Sequence, residues 1–488
     1  MVRPVRMKLF ATINLLSMAL FVIGLHTDAQ ELRRSGFLGI VTVALTEEAR
    51  KQLQLNETGI LVQSVVDGGS AKDSGIQSND IITQVNDHKI IDVADFVQTA
   101  KNLRAGDTAT IHIRRNSESL TMQLLVKPRP YESAPDVDTL YKAVTVDGSL
   151  RRVIVTVPKT QGKHPAVLYI NGIGCFSQES GNLQSNDAKL LYGLTRAGFI
   201  TMRVEKSSTG DSEGPPCSTV DMEAERRGYI AGLKALKDYS FVDPNNTFLM
   251  GISIGGVQAP LIAEQVPVKG IVVINTVIKP FLEYLIDTRR RQNLLAHVPY
   301  DEMDRRARIN ERCNHLLLIE KQTFDDVVKA SPECRDYVTY PAAYTYMQQW
   351  AALNLAEEWK KVSAPVLIVW GTADFVSTIA DNPLMADVIN SFHPGHATLK
   401  MITNMDHPMY KAASMEESMN RPATAPREFE PAVLEAIRDW LLAQIKRNAA
   451  RMQSALHPQQ AKRMIYTVPK TGRSQFNHLG AMQLAHVD

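Results

Sequence analysis

The chain has 488 residues, of which 44% are hydrophobic and 22% charged. This length and this apolar content are enough for more than one hydrophobic core, so they predict a multidomain globular protein. Its 54 Lys and Arg residues nearly balance its 52 Asp and Glu residues, leaving a formal net charge of +2. This balance excludes a domain-wide basic field of the kind that holds nucleic acid.

An export signal is predicted for residues 1–29. Basic residues near the start precede an apolar run over residues 9–25, and residues 27–29 resemble a signal-peptidase site. The alternative is an uncleaved membrane anchor, because a run of this length is close to the minimum that spans a bilayer. The sequence therefore predicts a periplasmic or secreted protein, which meets a membrane only if the signal is not cleaved.

A small β-rich module is predicted for residues 36–127. Short strand patterns occupy residues 59–65, 79–85 and 110–114, with glycine turns between them and a helix pattern at residues 93–103. In these features the module resembles a PDZ domain of the bacterial periplasmic protease type.

The resemblance implies a peptide-binding site at the start of the module. In PDZ domains the loop before the binding strand offers backbone N–H groups to a terminal carboxylate, and the strand edge pairs with the peptide. These roles fall on Phe37, Leu38, Gly39 and Ile40. The expected partner is a peptide or a protein C-terminus. The alternative is a domain that only packs against its neighbour, with its groove empty or filled by the chain itself.

A linker and a larger domain follow. Residues 128–138 contain several prolines and no apolar periodicity, which predicts a linker. Over residues 139–447 strand patterns alternate with helical patterns, which is typical of an α/β fold with a doubly wound, mostly parallel sheet. The strand rhythm lapses over residues 279–362, which predicts a helical cap, and a polar C-terminal tail is expected over residues 448–488.

The sharpest chemical signal is a Gly-x-Ser-x-Gly motif at residues 251–255, between a strand pattern and a helical pattern. The flanking glycines let the strand and the helix approach each other, so Ser253 is expected on a tight turn at the amino terminus of the helix. Backbone N–H groups there favour developing negative charge. Ser253 is therefore the predicted nucleophile.

A serine hydroxyl needs a base, and the base needs an orienting acid. A buried strand pattern runs into Asp374, and one further strand leads to His407, which predicts Asp374 as the acid and His407 as the base. Three rivals remain: Asp406 as the acid, and His393 and His396 as the base.

Two N–H donors are needed for an oxyanion hole. Ile254 follows the nucleophile and supplies one; the backbone of Ile173 or Gly174, in a loop after an early strand, is expected to supply the other. The alternative for that loop is a simple glycine turn. From about residue 138 onward, these motifs resemble the α/β-hydrolase superfamily, in particular bacterial carboxylesterases and acyl-peptide hydrolases.

The sequence departs from the carboxylesterase pattern at Glu205 and Lys206, in the loop after the strand pattern at residues 200–204. Both side chains could line the pocket, but we expect them to pair with each other at its rim.

The four cysteines suit an exported chain with two disulfide bonds, and the preferred pairing is Cys175 with Cys217 and Cys313 with Cys334. The alternative is four buried thiols. No motif requires a metal ion or an organic cofactor.

The leading functional hypothesis is a serine hydrolase that cleaves a small-molecule carboxylic ester through an acyl-enzyme. One alternative is an exopeptidase or acyl-peptide hydrolase to which the PDZ module delivers peptide ends. Another is a PDZ binding protein whose hydrolase domain is inactive.

Overall fold

The computed structural model describes residues 32–52, 57–116, 118–377, 379–422 and 424–456. The predicted export signal and the C-terminal tail beyond residue 456 lie outside these ranges. Among the described residues, no helix has the length and apolar character needed to cross a bilayer.

Strands in the described ranges form two separate sheets. They are β1 (Ile40–Ala44), β2 (Ile60–Val65), β3 (Ile81–Val85), β4 (His88–Lys89), β5 (Thr108–Arg115), β6 (Glu118–Leu125), β7 (Val137–Val146), β8 (Ser149–Pro158), β9 (His164–Ile170), β10 (Ile200–Val204), β11 (Val242–Ile252), β12 (Gly270–Ile274), β13 (Val366–Gly371) and β14 (Ala397–Ile402).

Helices surround both sheets. They are α1 (Glu47–Gln52), α2 (Ser70–Asp73), α3 (Val93–Lys101), α4 (Asn186–Arg196), α5 (Met222–Asp238), α6 (Ile254–Gln265), α7 (Phe281–Leu295), α8 (Tyr300–Asn314), α9 (Phe324–Ala330), α10 (Arg335–Val338), α11 (Tyr344–Ala351), α12 (Leu355–Lys360), α13 (Asp381–Phe392), α14 (Met415–Asn420) and α15 (Pro431–Leu456).

The amino-terminal domain is an antiparallel sheet in the order β1-β2-β3-β5-β6, with β4 paired to β3. Its core contains alternate residues of β5, Ala109, Ile111 and Ile113, because successive side chains of a strand point to opposite faces. Phe96 of α3 packs into the same core. Strand β6 was not predicted; its mostly exposed side chains give it no continuous apolar run.

The second domain is an eight-stranded sheet in the order β14-β13-β12-β11-β9-β10-β8-β7. The strands from β14 to β10 in this order are parallel, and β8 and β7 extend the sheet in antiparallel fashion. This is the predicted α/β-hydrolase sheet, doubly wound and mostly parallel.

Both faces of this sheet are covered by helices. Along β9, Ala166, Leu168 and Ile170 belong to one apolar core, while Val167 and Tyr169 belong to the core on the opposite face. A strand buried on both sides reads as a continuous apolar run, which explains why β9 was easy to recognise in the sequence.

The helices from α7 to α12 lie between β12 and β13 in the chain, over the range expected for a cap. The last two of them, α11 and α12, are short and are separated by residues 352–354. At the other end of the domain, α15 continues to Leu456, past the boundary at residue 447.

The proline-rich segment between the domains is packed against the second domain. Glu132 is buried and forms two hydrogen bonds with Arg203, at 2.8 and 2.6 Å. Ala134 and Val137 pack with Tyr192 of α4. The prolines indicated a break between domains, but they could not reveal the buried ion pair that fixes the segment.

A second set of buried charges joins the two domains. Arg34 pairs with Glu179 and, at 2.9 Å, with Asp211. The backbone N–H of Ser35 donates to Asp211 at 2.8 Å, and Arg152 pairs with the same carboxylate at 3.0 Å. These contacts fix the start of the first domain against the loops that follow β9 and β10.

Candidate active site

Ser253 stands at a sharp turn between β11 and α6. Its φ of 54° and ψ of −124° are an unusual conformation for a residue with a side chain. A Cβ on Gly251 would lie 2.3 Å from Gly255 O, and one on Gly255 would lie 2.1 Å from Ile170 O. Both flanking glycines are therefore needed for the close approach of strand and helix.

Asp374 and His407 are in contact. His407 Nδ1 lies 3.0 Å from Asp374 Oδ2. Asp374 is fully buried, and it also accepts hydrogen bonds from the Ser377 hydroxyl and from the backbone N–H of Val376 at 2.7 Å. These donors hold the carboxylate in a fixed orientation toward the imidazole.

The environment of His407 favours its protonated form. Burial of the ring lowers the pKa, but the negative charge of Asp374 and the contact with it outweigh burial, so the pKa of His407 is raised above its usual 6.5. An imidazole with this partner can accept a proton and hold the resulting charge.

Ser253 and His407 lie at the same edge of the sheet. They follow the carboxyl ends of β11 and β14, which run parallel, and Asp374 follows β13 between them in chain order. The segment after β12 connects the two loops: Thr276 Oγ1 donates to Ser253 O at 2.7 Å, and Asn275 Nδ2 donates to His407 O at 2.8 Å.

Asn275 was not singled out in the sequence. Its φ is 49°, and its side-chain oxygen also accepts from Gly371 N at 2.9 Å, so one side chain ties the ends of β12 and β13 to the histidine loop. The available signal was an asparagine directly after a buried strand, because asparagine tolerates positive φ.

The rival residues have other partners. Asp406 accepts from Tyr410 N at 2.6 Å and from Ser418 Oγ at 3.2 Å, and it pairs with Arg421. His393 and His396 precede β14, at the edge of the sheet opposite to Ser253, and His393 Nε2 lies 2.8 Å from Lys360 O. The geometry therefore favours Asp374 and His407.

The loop expected to complete the oxyanion hole adjoins the nucleophile. A Cβ placed on Gly172 would lie 4.0 Å from Ser253 Oγ, so the backbone after β9 passes close to the hydroxyl. Ile173 and Gly174 follow, and Gly174 has a φ of +121° that suits only glycine. Ile254 begins α6 on the other side of the serine.

The expectation that Glu205 pairs with Lys206 is wrong. Lys206 forms a buried ion pair with Glu225 of α5 at 3.1 Å, and its Nζ donates to Gly172 O at 2.8 Å. Neighbouring residues point apart when the chain leaves a strand, so each finds a partner on a different element. Lys206 therefore fixes the loop after β9 at Gly172.

Glu205 is buried, and within the part of the chain that the structure describes it forms no ion pair. Its carboxylate accepts from Ser177 Oγ at 2.5 Å, from Gln178 N at 3.0 Å and from Thr209 Oγ1 at 3.0 Å. Burial raises the pKa of Glu205, and these donors oppose that rise. It anchors two loops, the one after β9 and the one after β10.

Both cysteine pairs form disulfide bonds. Cys175–Cys217 connects the loop after β9 to the segment before α5, and Cys313–Cys334 lies among the helices between β12 and β13. The first bond fixes the loop after β9 at a second point, three residues after Gly172.

The helices between β12 and β13 contact the loop after β13, which contains Asp374. Arg291 of α7 donates to Phe375 O at 3.2 Å and to Val376 O at 3.1 Å. Phe281 of α7 stacks on Trp350 of α11 with ring centroids 3.9 Å apart. These contacts fix α7 beside the loop that carries Asp374. That these helices form a cap over the site stays a prediction.

The residues predicted to bind a peptide lie just before β1 and at its first position. Phe37 N donates to Lys127 O at 2.8 Å, while Phe37 O and Leu38 O accept from the start of α2. Gly39 has a φ of +69°, and a Cβ there would lie 2.7 Å from Gly69. The loop is therefore closely packed, with Ile40 as the first residue of β1.

Two families match parts of the chain. Residues 36–126 match the PDZ domain family, and residues 184–411 match the family described as serine aminopeptidase, S33. The first match spans the strands of the first sheet, and the second begins after β9 and ends after β14 of the second sheet.

Curated relatives match each part separately. Esterase EstD of Thermotoga maritima is 24% identical over 245 residues, which are 50% of this chain and 54% of that protein. A probable periplasmic serine endoprotease, DegP-like, of Pseudomonas putida is 30% identical over 118 residues, 24% of each chain. The chain therefore spans about half the length of the esterase and about a quarter of the protease.

Among solved structures, Est1E from Butyrivibrio proteoclasticus with ferulic acid bound is 17% identical and has a TM-score of 0.41. The match covers 62% of this chain and 99% of that one.

Proposed function

The chain joins a PDZ domain to a serine hydrolase domain with the α/β-hydrolase fold, and from this premise we propose that it cleaves carboxylic esters through an acyl-enzyme on Ser253. One observation carries the proposal: a serine in a strained turn shares a sheet edge with a histidine whose Nδ1 lies 3.0 Å from a buried carboxylate. Serine, base and acid are the groups that acyl transfer needs.

In the first step Ser253 Oγ attacks the ester carbonyl, and its proton passes to Nε2 of His407. The imidazolium that forms is stabilised by Asp374, which stays ionised. His407 then returns the proton to the leaving alcohol as the carbon–oxygen bond breaks. Water, activated by the same imidazole, attacks the acyl-enzyme and regenerates Ser253.

The developing oxyanion would be held by the backbone N–H of Ile254 and by that of Ile173 or Gly174. The positions of two supports favour this assignment: the Lys206 ammonium holds Gly172 O at 2.8 Å, and the Cys175–Cys217 bond closes the same loop. Donors that are fixed before the reaction stabilise charge better than mobile ones.

A peptidase is the second candidate. The S33 family name describes an aminopeptidase, and a PDZ domain adjoins the hydrolase domain. A panel of short p-nitrophenyl esters and aminoacyl p-nitroanilides separates the two: an esterase turns over the esters with the higher kcat/KM, and a peptidase the anilides.

The PDZ domain is proposed to bind a peptide or protein C-terminus through Phe37, Leu38, Gly39 and Ile40. We also propose that the protein is exported. Two disulfide bonds suit an oxidising compartment, and relatives of the PDZ domain carry the name periplasmic.

A fluorophosphonate probe tests the nucleophile directly. The wild-type chain should become labelled, and Ser253→Ala should not. The control is Ser212→Ala, which removes a buried hydroxyl that accepts from Arg152 N at 2.9 Å in the loop after β10, and this variant should still be labelled. No labelling of the folded wild type would overturn the proposal and favour a PDZ binding protein with an inactive hydrolase domain.

A further inference from the structure

An open cavity of about 600 Å³ lies between the two domains. One wall is the predicted peptide groove, with Leu38 and Gly39 before β1, Ile40 at its start and Val97 on α3. The other wall belongs to the hydrolase domain, including Phe176 of the loop after β9. A ligand in this groove therefore meets both domains.

Exposed apolar side chains converge on the cavity. Val66, Val97 and Phe176 have exposed fractions of 41%, 42% and 49%, and all three line it. Single exposed apolar residues are common, but a cluster within one concave surface marks a binding site. An apolar side chain of a ligand would be covered from both sides by Val97 and Phe176.

The backbone and the charges of the cleft fit the end of a polypeptide. Strand β1 pairs with β2 on one side only within the described sheet, so its outer edge can accept an added strand. Lys101 lines the cavity, and the one carboxylate in the lining, Glu179, is neutralised by its pairs with Arg34 and Arg129. This balance favours a negatively charged group, such as a terminal carboxylate.

The carboxylate of Glu205 orders the wall of the cavity that belongs to the hydrolase domain. Glu205 holds Ser177 and Gln178 of the loop after β9, and Thr209 of the loop after β10. Both loops border the cleft. A wall that is already ordered loses little conformational freedom when a ligand binds.

The same wall leads to Ser253. A Cβ on Gly174 would lie 2.8 Å from Phe176 Cε1, so the Phe176 ring lies against the oxyanion loop. Gly172, beside Ser253, precedes Cys175 by three residues, a stretch of chain that reaches at most about 10 Å. A ligand that moves or fixes Phe176 acts on the backbone that would bind the oxyanion.

Starting from the C-terminus binding proposed above for the PDZ groove, we propose that the bound chain end also contacts the hydrolase domain at Phe176, and that Phe176 couples occupancy of the cleft to ester hydrolysis at Ser253. The last side chain of the ligand is apolar and packs between Val97 and Phe176. The coupling half of the inference rests on the proposed esterase function, and the binding half stands independently of it.

The test uses the full chain and a fluorescein-labelled Gly-Ser decapeptide ending in Leu-Val with a free carboxylate. Fluorescence anisotropy gives its Kd, and the C-terminal amide of the same peptide is the ligand control. We expect the amide and the Phe176→Ala variant each to weaken binding by about tenfold. Phe392→Ala, which removes an exposed phenyl group away from the cleft, should bind as the wild type does.

Coupling is measured as kcat/KM for p-nitrophenyl butyrate with and without saturating peptide. The wild type should change by about threefold or more and Phe176→Ala by much less, which corresponds to a modest coupling between two sites. Equal Kd values for the wild type and Phe176→Ala, or no peptide binding, would overturn the shared cleft. Bound peptide with unchanged kcat/KM would overturn the coupling. A wild type without ester turnover would instead overturn the proposed function and the coupling with it, and the Kd values would still decide the binding half.

Discussion

The side-chain amide of Asn275 donates a hydrogen bond to the backbone carbonyl of His407, at 2.8 Å. The same nitrogen donates to Asp406 O at 3.0 Å, and the side-chain oxygen accepts from Gly371 N at 2.9 Å. Asn275 therefore acts as a positioning residue, because it fixes the loop that presents the imidazole without touching the reacting atoms.

We expect Asn275→Ala to lower kcat by about tenfold or more while KM changes little, because the imidazole loses its fixed position and small displacements are costly in catalysis. The lost buried hydrogen bonds should also destabilise the fold by about 1–3 kcal/mol. Steady-state kinetics on a p-nitrophenyl ester and thermal denaturation measure the two effects.

The control for this variant is Thr156→Ala. Thr156 lies on β8 and hydrogen-bonds to Thr195 at 2.7 Å, away from the site, so its loss should lower stability and leave kcat unchanged. If both variants lowered kcat alike, Asn275 would have only a structural role.

Replacing Asp374 and Asp406 one at a time separates the roles of the two carboxylates. Asp374→Asn should lower kcat by about 10⁴-fold, because an amide cannot stabilise the imidazolium or impose the correct tautomer. Asp406→Asn should retain most activity, since the partners of Asp406 are Tyr410, Ser418 and Arg421 rather than the imidazole. The reverse order of effects would make Asp406 the acid.

The pKa of His407 predicts the acidic limb of the pH profile. Catalysis needs the neutral imidazole, and the pKa of His407 is raised above 6.5 because the charge of Asp374 outweighs burial. Activity should therefore fall with decreasing pH, with a midpoint above 6.5, in a plot of kcat/KM against pH. A midpoint below 6.5 would mean that burial dominates over the carboxylate.

The sequence predicted the site residues that are recognised by the strand or motif next to them, and it missed those whose side chains contact a distant element. Ser253 and Asp374 each follow a strand with a continuous apolar run, and His407 follows the shorter and more exposed β14, so parallel pairing of these strands was enough to predict a common edge. Lys206 and Asn275 act through side chains that reach another element, and no local pattern shows where such a side chain goes. The same reason hid the Glu132–Arg203 pair, which turned an expected linker into a packed segment.

Lys206 offers a test of the support beneath the oxyanion loop. Lys206→Met removes the donor to Gly172 O and leaves Glu225 buried without its cation, so kcat should fall about tenfold and stability should drop by about 3 kcal/mol. The double variant Lys206→Met/Glu225→Gln should recover much of the stability and none of the kcat. Recovery of both would show that the lysine only balances charge. Chemical denaturation and ester kinetics on the three proteins give the comparison.

Two adjacent arginines test the junction between the domains. Arg34 is buried and pairs with Glu179 and Asp211, so Arg34→Ala leaves two buried carboxylates short of a cation and should cost about 3 kcal/mol. Arg33 pairs with Asp107 from a side chain that is 58% exposed, and Arg33→Ala should cost less than about 1 kcal/mol. Because the buried pairs cross the junction, Arg34→Ala should also speed proteolytic cleavage within residues 127–136, and Arg33→Ala should not. Equal melting temperatures and equal cleavage rates for the two variants would mean that the buried pairs do not hold the PDZ domain against the hydrolase domain.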